Sequence, residues 1–148
     1  MATAFGLRTR TLVVEDHRVF LDFITATARD CPNVEVIGEV QDGFSAVQRA
    51  AQLQPDLILL DVGLPGLNGI DAARRIRSVA PDSRIIFVTQ ESSADIVEAA
   101  FALGAWGYIM KIHAGVELPL ALNAVVEGKK FFGNGLQQYA SISSSMNA

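Results

Sequence analysis

Cysteine is nearly missing from this 148-residue chain, with Cys31, ahead of Pro32, the single instance. No internal disulfide can form and a structural thiolate metal site lacks ligands, so a reducing cytoplasm is the expected location. Histidine is almost as scarce. His17 and His113 stand alone, which leaves no histidine cluster for zinc. Long apolar runs are absent as well: the charge-free apolar stretch from Ala99 to Met110 falls short of the roughly 18 residues a membrane span needs and is broken by Gly104 and Gly107. The stretch ahead of Arg8 is too short and mixed for a secretory signal. Positive charge is in deficit, the formal net charge being −4, and no Lys or Arg stripe runs along a face. Arg74, Arg75 and Arg77 form the densest basic group and read as a solvated helix face, so direct nucleic-acid binding by this segment is not expected. A Walker loop and a dinucleotide glycine fingerprint are both lacking.

What the chain does have is apolar content, 50% of its residues, enough for one domain that buries roughly 70% of its unfolded surface. Thr11–Val14, Leu57–Leu60 and Ile85–Val88 are apolar without alternation, as parallel strands covered on both faces should be. Val34–Val40 mixes carboxylates with β-branched residues, and Trp106–Met110 mixes glycine with aromatics, so these two strands suit the sheet's edges. Between the strands, apolar residues fall at helical spacing. Phe20, Phe23, Ile24 and Thr27 mark the first helix; Ile96, Ala99, Ala100 and Leu103 the fourth; Leu118, Ala121, Leu122 and Val125 the fifth. Asp42-Gly43 and Asn68-Gly69 open the second and third, and Pro55 and Pro81 follow them. A strict βα alternation implies right-handed crossovers and a doubly wound, flavodoxin-like (βα)5 fold: a five-stranded parallel sheet in the order 2-1-3-4-5.

That order turns strand ends into neighbours. Val14 runs into Glu15 and Asp16, Leu60 into Asp61, Val88 into Thr89 and Met110 into Lys111, all at the carboxyl edge where open α/β sheets bind ligands. A lone acid at a strand end often caps the next helix, but these polar groups at the ends of neighbouring strands point to a site. Carboxylates about 4 to 5 Å apart repel by several kcal/mol at an effective dielectric near 20, so a cation must join them. Oxygen ligands and the shortage of His and Cys favour Mg²⁺. Magnesium completes its shell with phosphate oxygens, for which Lys111 and Thr89 supply donors. Asp61 ends the central strand and precedes Val62-Gly63-Leu64-Pro65-Gly66, whose glycines allow a donor to approach. Its carboxylate is therefore the candidate nucleophile on phosphorus. Mg²⁺ and Lys111 would neutralise the equatorial oxygens of the resulting aspartyl phosphate, with Thr89 donating to one of them.

Leu12-Val-Val-Glu15-Asp16-His17, Leu60-Asp61-Val-Gly-Leu64-Pro65-Gly-Leu-Asn-Gly69, Phe87-Val-Thr89 and Gly104-Ala-Trp-Gly-Tyr108-Ile-Met-Lys111 together resemble the receiver domains of two-component response regulators. The resemblance covers about residues 9–131, leaving 132–148 as linker or tail. It implies Asp61 as phospho-acceptor from a sensor histidine kinase, with Asp16, Asp61 and the Gly63 carbonyl on Mg²⁺ and Glu15 acting through water. Thr89 and Lys111 would hold the phosphoryl group, and Thr89 with Tyr108 would form the switch. Such a protein is a cytoplasmic signalling switch and not a turnover enzyme on a separate substrate. Glu15-Asp16-His17 and Gly128-Lys129-Lys130-Phe131-Phe132 are most similar to regulators carrying a LuxR-type helix-turn-helix domain, so DNA would be reached only through an effector domain outside this chain. An apolar face on the last helix would suit a homodimer, and no membrane partner is expected.

Three departures from the family pattern carry expectations. Gln90 replaces a small residue and should narrow access to Asp61; Ile112 replaces a proline after Lys111, so a trans peptide is expected there. Pro119 should fall near the first turn of the last helix and delay or distort its start. By default Tyr108 is a half-buried aromatic on an edge strand. Other functions fit less well. A haloacid-dehalogenase-like phosphatase needs a second acid where Gly63 stands, and Glu15-Asp16 would repel a flavin phosphate. A stand-alone or phosphorylation-independent interaction module of receiver-like fold stays open as the alternative, with Gln90 in its favour. Gly133-Asn134-Gly135 and Ser141–Ser145 read as linker or frayed tail.

Overall fold

The computed structural model describes residues 8–136 and Tyr139; Ser141–Ser145 lie outside the described residues. The strands are β1 (Thr9–Val14), β2 (Val34–Val40), β3 (Leu57–Leu60), β4 (Arg84–Thr89), β5 (Gly107–Met110) and β6 (Phe131–Phe132). The helices are α1 (Arg18–Asp30), α2 (Gly43–Leu53), α3 (Gly69–Val79), α4 (Ala94–Ala102) and α5 (Ala114–Val126), the last preceded by a 3₁₀ turn at Lys111–His113. Every strand pairs in parallel, in the order β2-β1-β3-β4-β5-β6. The flavodoxin-like order 2-1-3-4-5 is present, with one correction. The fifth strand is not outermost, because β6 pairs with it.

Burial follows the strand patterns. Leu57–Leu60 of β3 is buried at every position, and β1 nearly so, since helices cover both faces of the sheet's centre. One apolar layer lies under α2, α3 and α4 around Leu12, Ile58, Phe87 and Tyr108; the other lies under α1 and α5 around Val13, Leu59, Val88 and Ile109. Alternate residues of one strand thus serve opposite layers. The starts of α2 and α3 fall where expected. Asp42 accepts the Ser45 amide at 2.8 Å and Asn68 accepts the Asp71 amide at 2.9 Å.

Two helix faces turn out differently. On α1 the buried residues are Leu21, Ile24, Thr25 and Ala28, and Phe23 is exposed. On α4 they are Val97, Ala100 and Phe101, with Ile96, Ala99 and Leu103 half-buried. Each stripe is wider than the residues that first suggest it, and its centre is set by the sheet beneath. Pro119 lies inside α5, in the second turn and not the first, because the helix starts at Ala114 directly from the 3₁₀ turn. There is no cis peptide among the described residues, as Ile112 suggested. No helix among them is long and apolar enough to cross a membrane.

Candidate functional site

Strand β1 delivers Glu15 and Asp16, β3 delivers Asp61, β4 ends on Thr89 and β5 runs into Lys111. The first two strands are adjacent: Val14 is in register with Leu60, and the Asp61 amide donates to the Val14 carbonyl at 3.1 Å. One carboxylate oxygen from each of Glu15, Asp16 and Asp61 lies within 4.8 Å of the others. Glu15 and Asp61 are buried and Asp16 is exposed. Gly69 fixes the loop behind Asp61, since a β-carbon there would sit 2.0 Å from the Asp61 carbonyl oxygen. Helix α3 can start that close only with glycine.

Lys111 bridges the acids. Its Nζ is 2.7 Å from Glu15 Oε1 and 3.1 Å from Asp61 Oδ2, and it lies 4.8 Å from the centroid of the Phe20 ring. Burial works against the ammonium, but Glu15 and Asp61 outweigh it and hold the Lys111 pKa above the ordinary lysine range. Burial pushes Glu15 upward; Lys111 and the His17 amide, which donates to Glu15 Oε2 at 3.0 Å, pull it back, and the Asp61 charge adds to the rise. One ammonium among these acids leaves negative charge in excess, which is the environment a divalent cation neutralises. The donor set is all oxygen and fits Mg²⁺.

The cavity above this cluster measures about 300 Å³ and is lined by Asp16, His17, Asp61, Gly63, Thr89, Gln90, Glu91 and Lys111. Of the residues anticipated from the sequence, Glu15 and Tyr108 do not line it. The Gly63 amide is 3.4 Å from Asp61 Oδ1. Gln90 is an exposed lining residue. Tyr108 departs from its default as a half-buried aromatic: it is fully buried, its ring 5.9 Å from Phe87, and its hydroxyl donates to the Glu91 carbonyl at 2.5 Å. Burial pushes its phenol well above the usual tyrosine range, the Glu91 and Asp61 charges adding to this, so it stays a donor. Two residues escaped the sequence reading. Glu91 joins Thr89, whose Oγ1 accepts its amide at 3.2 Å, to Tyr108; it acts through backbone atoms, which leave no mark on residue type. Phe20, marked as a core position of α1, packs half-buried against that layer and also lies beside Lys111, its ring centroid 4.8 Å from Nζ.

A doubly wound parallel α/β domain with an acidic, lysine-bridged pocket at its carboxyl edge is the class this geometry defines. The response regulator receiver domain family matches residues 11–123. The chain is 33% identical over 120 residues to the transcriptional regulatory protein LiaR of Bacillus subtilis, covering 81% of this chain and 57% of LiaR. It is 29% identical to the nitrate/nitrite response regulator NarL of Escherichia coli, covering 84% of this chain and 58% of NarL. Among solved structures, a LuxR-family response regulator from Aurantimonas sp. SI85-9A1 superposes with a TM-score of 0.82 at 27% identity, covering 93% of this chain and 99% of that one. The isolated receiver domain of RcsB from Salmonella enterica, in the presence of the phosphomimetic BeF₃⁻, gives 0.82 at 26% identity, covering 88% and 97%. The chain spans a little under two thirds of the length of the full-length regulators it matches. It belongs to the response regulator receiver domain family, the phosphorylation-activated switches of two-component signalling, and its relatives are of the LuxR/NarL type.

Proposed function

We propose that Asp61 accepts a phosphoryl group from a phosphohistidine of a sensor kinase. An Asp61 carboxylate oxygen forms the new O–P bond as the donor's N–P bond breaks, and the departing imidazole keeps the electron pair. Asp16, Asp61 and the Gly63 carbonyl would hold Mg²⁺, with Glu15 acting through water, and the ion when bound neutralises charge on the phosphoryl oxygens. Lys111, already beside Asp61, pairs with one equatorial oxygen, and the Thr89 hydroxyl donates to another. Gln90 at the rim limits the access of water and so the rate of hydrolysis. The observation that carries this reading is the meeting of Glu15, Asp16 and Asp61 within 4.8 Å around one lysine. The chain performs a stoichiometric switch step and turns over no separate substrate.

Downstream, the reading is control of transcription in the cytoplasm through a DNA-binding domain outside this chain, supported by LiaR, which is described as a transcriptional regulatory protein. Self-association is part of it. Ile112, Val116 and Leu120 form an exposed apolar row leading into and along α5, the first two 86% and 74% exposed, and an RcsB structure is described as dimers on DNA. The test is Asp61→Asn, which keeps the side chain's size. The variant should fold like the parent and lose Mg²⁺-dependent phosphorylation by a small-molecule phosphodonor; an unchanged level sinks Asp61 as the acceptor.

A further inference from the structure

The Gly63 carbonyl, proposed above as a ligand of Mg²⁺, belongs to a residue that packing does not hold in place. A β-carbon on Gly63 would meet nothing within 4 Å, so the aim of its peptide is set by the rest of the loop over residues 62–68. The base of that loop is tied by its own backbone: the Leu64 and Gly69 amides both donate to the Val62 carbonyl, at 2.9 and 2.7 Å. Leu64 and Leu67 are buried, but between them Pro65 and Gly66 are exposed and turn the chain, Gly66 at φ 73°. A tip of this kind has to be steadied from outside the loop.

Helix α2 does this with its first two residues. At Gly43 the helix comes so close that a β-carbon would sit 1.9 Å from the Leu67 carbonyl oxygen. Phe44 then lays its ring over the turn, where a β-carbon on Gly66 would be 3.3 Å from the ring's Cδ2 and Cε2. The Arg75 guanidinium, from α3, lies 5.6 Å from the centroid of the same ring, and Asp42, capping α2 through Ser45, fixes the turn from which the ring projects. Phe44 is 56% exposed, so it adds little to the core. What the ring covers is one turn of the loop that carries Gly63.

We propose that Phe44 is a positioning residue for the metal: by covering the Pro65-Gly66 turn it holds the β3–α3 loop, and with it the Gly63 carbonyl, in the geometry Mg²⁺ requires. The inference rests on the ligand set proposed above. Magnesium accepts little departure from octahedral coordination, so a wandering carbonyl weakens binding directly. A loop without its cover must be ordered as the ion binds, and that lost entropy is subtracted from the affinity.

The test compares Phe44→Ala and Phe44→Tyr with the parent by amide hydrogen exchange without metal and by titration with Mg²⁺ alone, both read by NMR. In metal-free Phe44→Ala the Leu64 and Gly69 amides should exchange roughly fivefold faster, while the Asp61 amide, which donates to Val14 O between the central strands, keeps its rate. Mg²⁺ should bind Phe44→Ala about tenfold more weakly, the loss typical of groups that orient a metal ligand, and Phe44→Tyr, which keeps the ring, as tightly as the parent. Phosphorylation by acetyl phosphate adds a split that a general structural defect would not give: Phe44→Ala should need about tenfold more Mg²⁺ for its half-maximal rate yet reach the parent rate at saturation. If Phe44→Ala binds Mg²⁺ like the parent, or Phe44→Tyr is weakened equally, the inference is overturned and the acceptor assignment stands. If the Asp61 amide accelerates as much as the loop amides, the ring supports the whole fold and not the loop, which overturns it as well. If the parent itself binds no Mg²⁺, the ligand set proposed above fails and takes the inference with it.

Discussion

At Lys111 the ammonium faces Glu15 at 2.7 Å and Asp61 at 3.1 Å, with the Phe20 ring 4.8 Å from it. The two acids supply charge, and the ring supplies an apolar wall that keeps water from competing for the cation. Removing the aromatic face while keeping side-chain bulk isolates that contribution. Phe20→Leu should lose about 1 kcal/mol of hold on the ammonium, which slows phosphorylation by acetyl phosphate roughly fivefold, whereas Phe20→Tyr should keep the parent rate. Time courses of phosphate incorporation check it, and equal rates for all three proteins would discard the role of the ring. The sequence announced the lysine and the acids because each ends an apolar strand. It could not announce Phe20, since an aromatic at helical spacing looks the same whether it faces the core or a neighbouring ammonium.

Among the elements, the helix starts carry the most local information. Asp42 caps α2 through both the backbone amide and the hydroxyl of Ser45, and these hydrogen bonds hold its carboxyl below the usual range. Asp42→Ala should therefore cost about 1 kcal/mol of unfolding free energy near neutral pH. The folded-state pKa is the lowered one, so this stabilisation is present above the unfolded-state value and lost as pH falls through the folded one. Denaturant melts of parent and variant should accordingly converge in acid. The starts of α2 and α3 were readable from Asp42-Gly43 and Asn68-Gly69, because capping chemistry is local. The buried face of α1 was not. Phe20, Phe23, Ile24 and Thr27 advertise it; Ile24 is buried and Phe20 packs half-buried beside it, but Phe23 is exposed and Leu21, Thr25 and Ala28 fill the rest, since the sheet surface and not residue size decides which stripe is covered. Strand β6 was out of reach for another reason: two residues are too few for any periodicity, and only the turn at Gly128 hints that the chain comes back.

For the whole molecule, the acid cluster is a stability cost that a ligand can offset. An ion that binds only the folded state adds roughly 2.7 kcal/mol when present at about 100 times its Kd, which is several degrees of Tm for a chain of this size. Mg²⁺ should raise the Tm of the parent accordingly. Asp16→Asn removes one of the crowded charges, so its metal-free form should melt higher than the parent while the Mg²⁺-dependent rise shrinks or vanishes. Thermal melts with and without the ion decide this, and an undiminished rise in the variant would remove Asp16 from the ligand set.

The sequence by itself determined the alternation of strands and amphipathic helices, the parallel sheet they imply, and the placing of Glu15, Asp16, Asp61, Thr89 and Lys111 at strand ends. Each of these is written in local periodicity or in one residue following an apolar run. Tertiary structure alone decided that Lys111 reaches Glu15 as well as Asp61, that Tyr108 is sealed in the core with its hydroxyl on Glu91, and that the chain beyond α5 returns to cover α4 and β5. Such pairings depend on how separate elements are brought together in space, and no single window of sequence contains both partners.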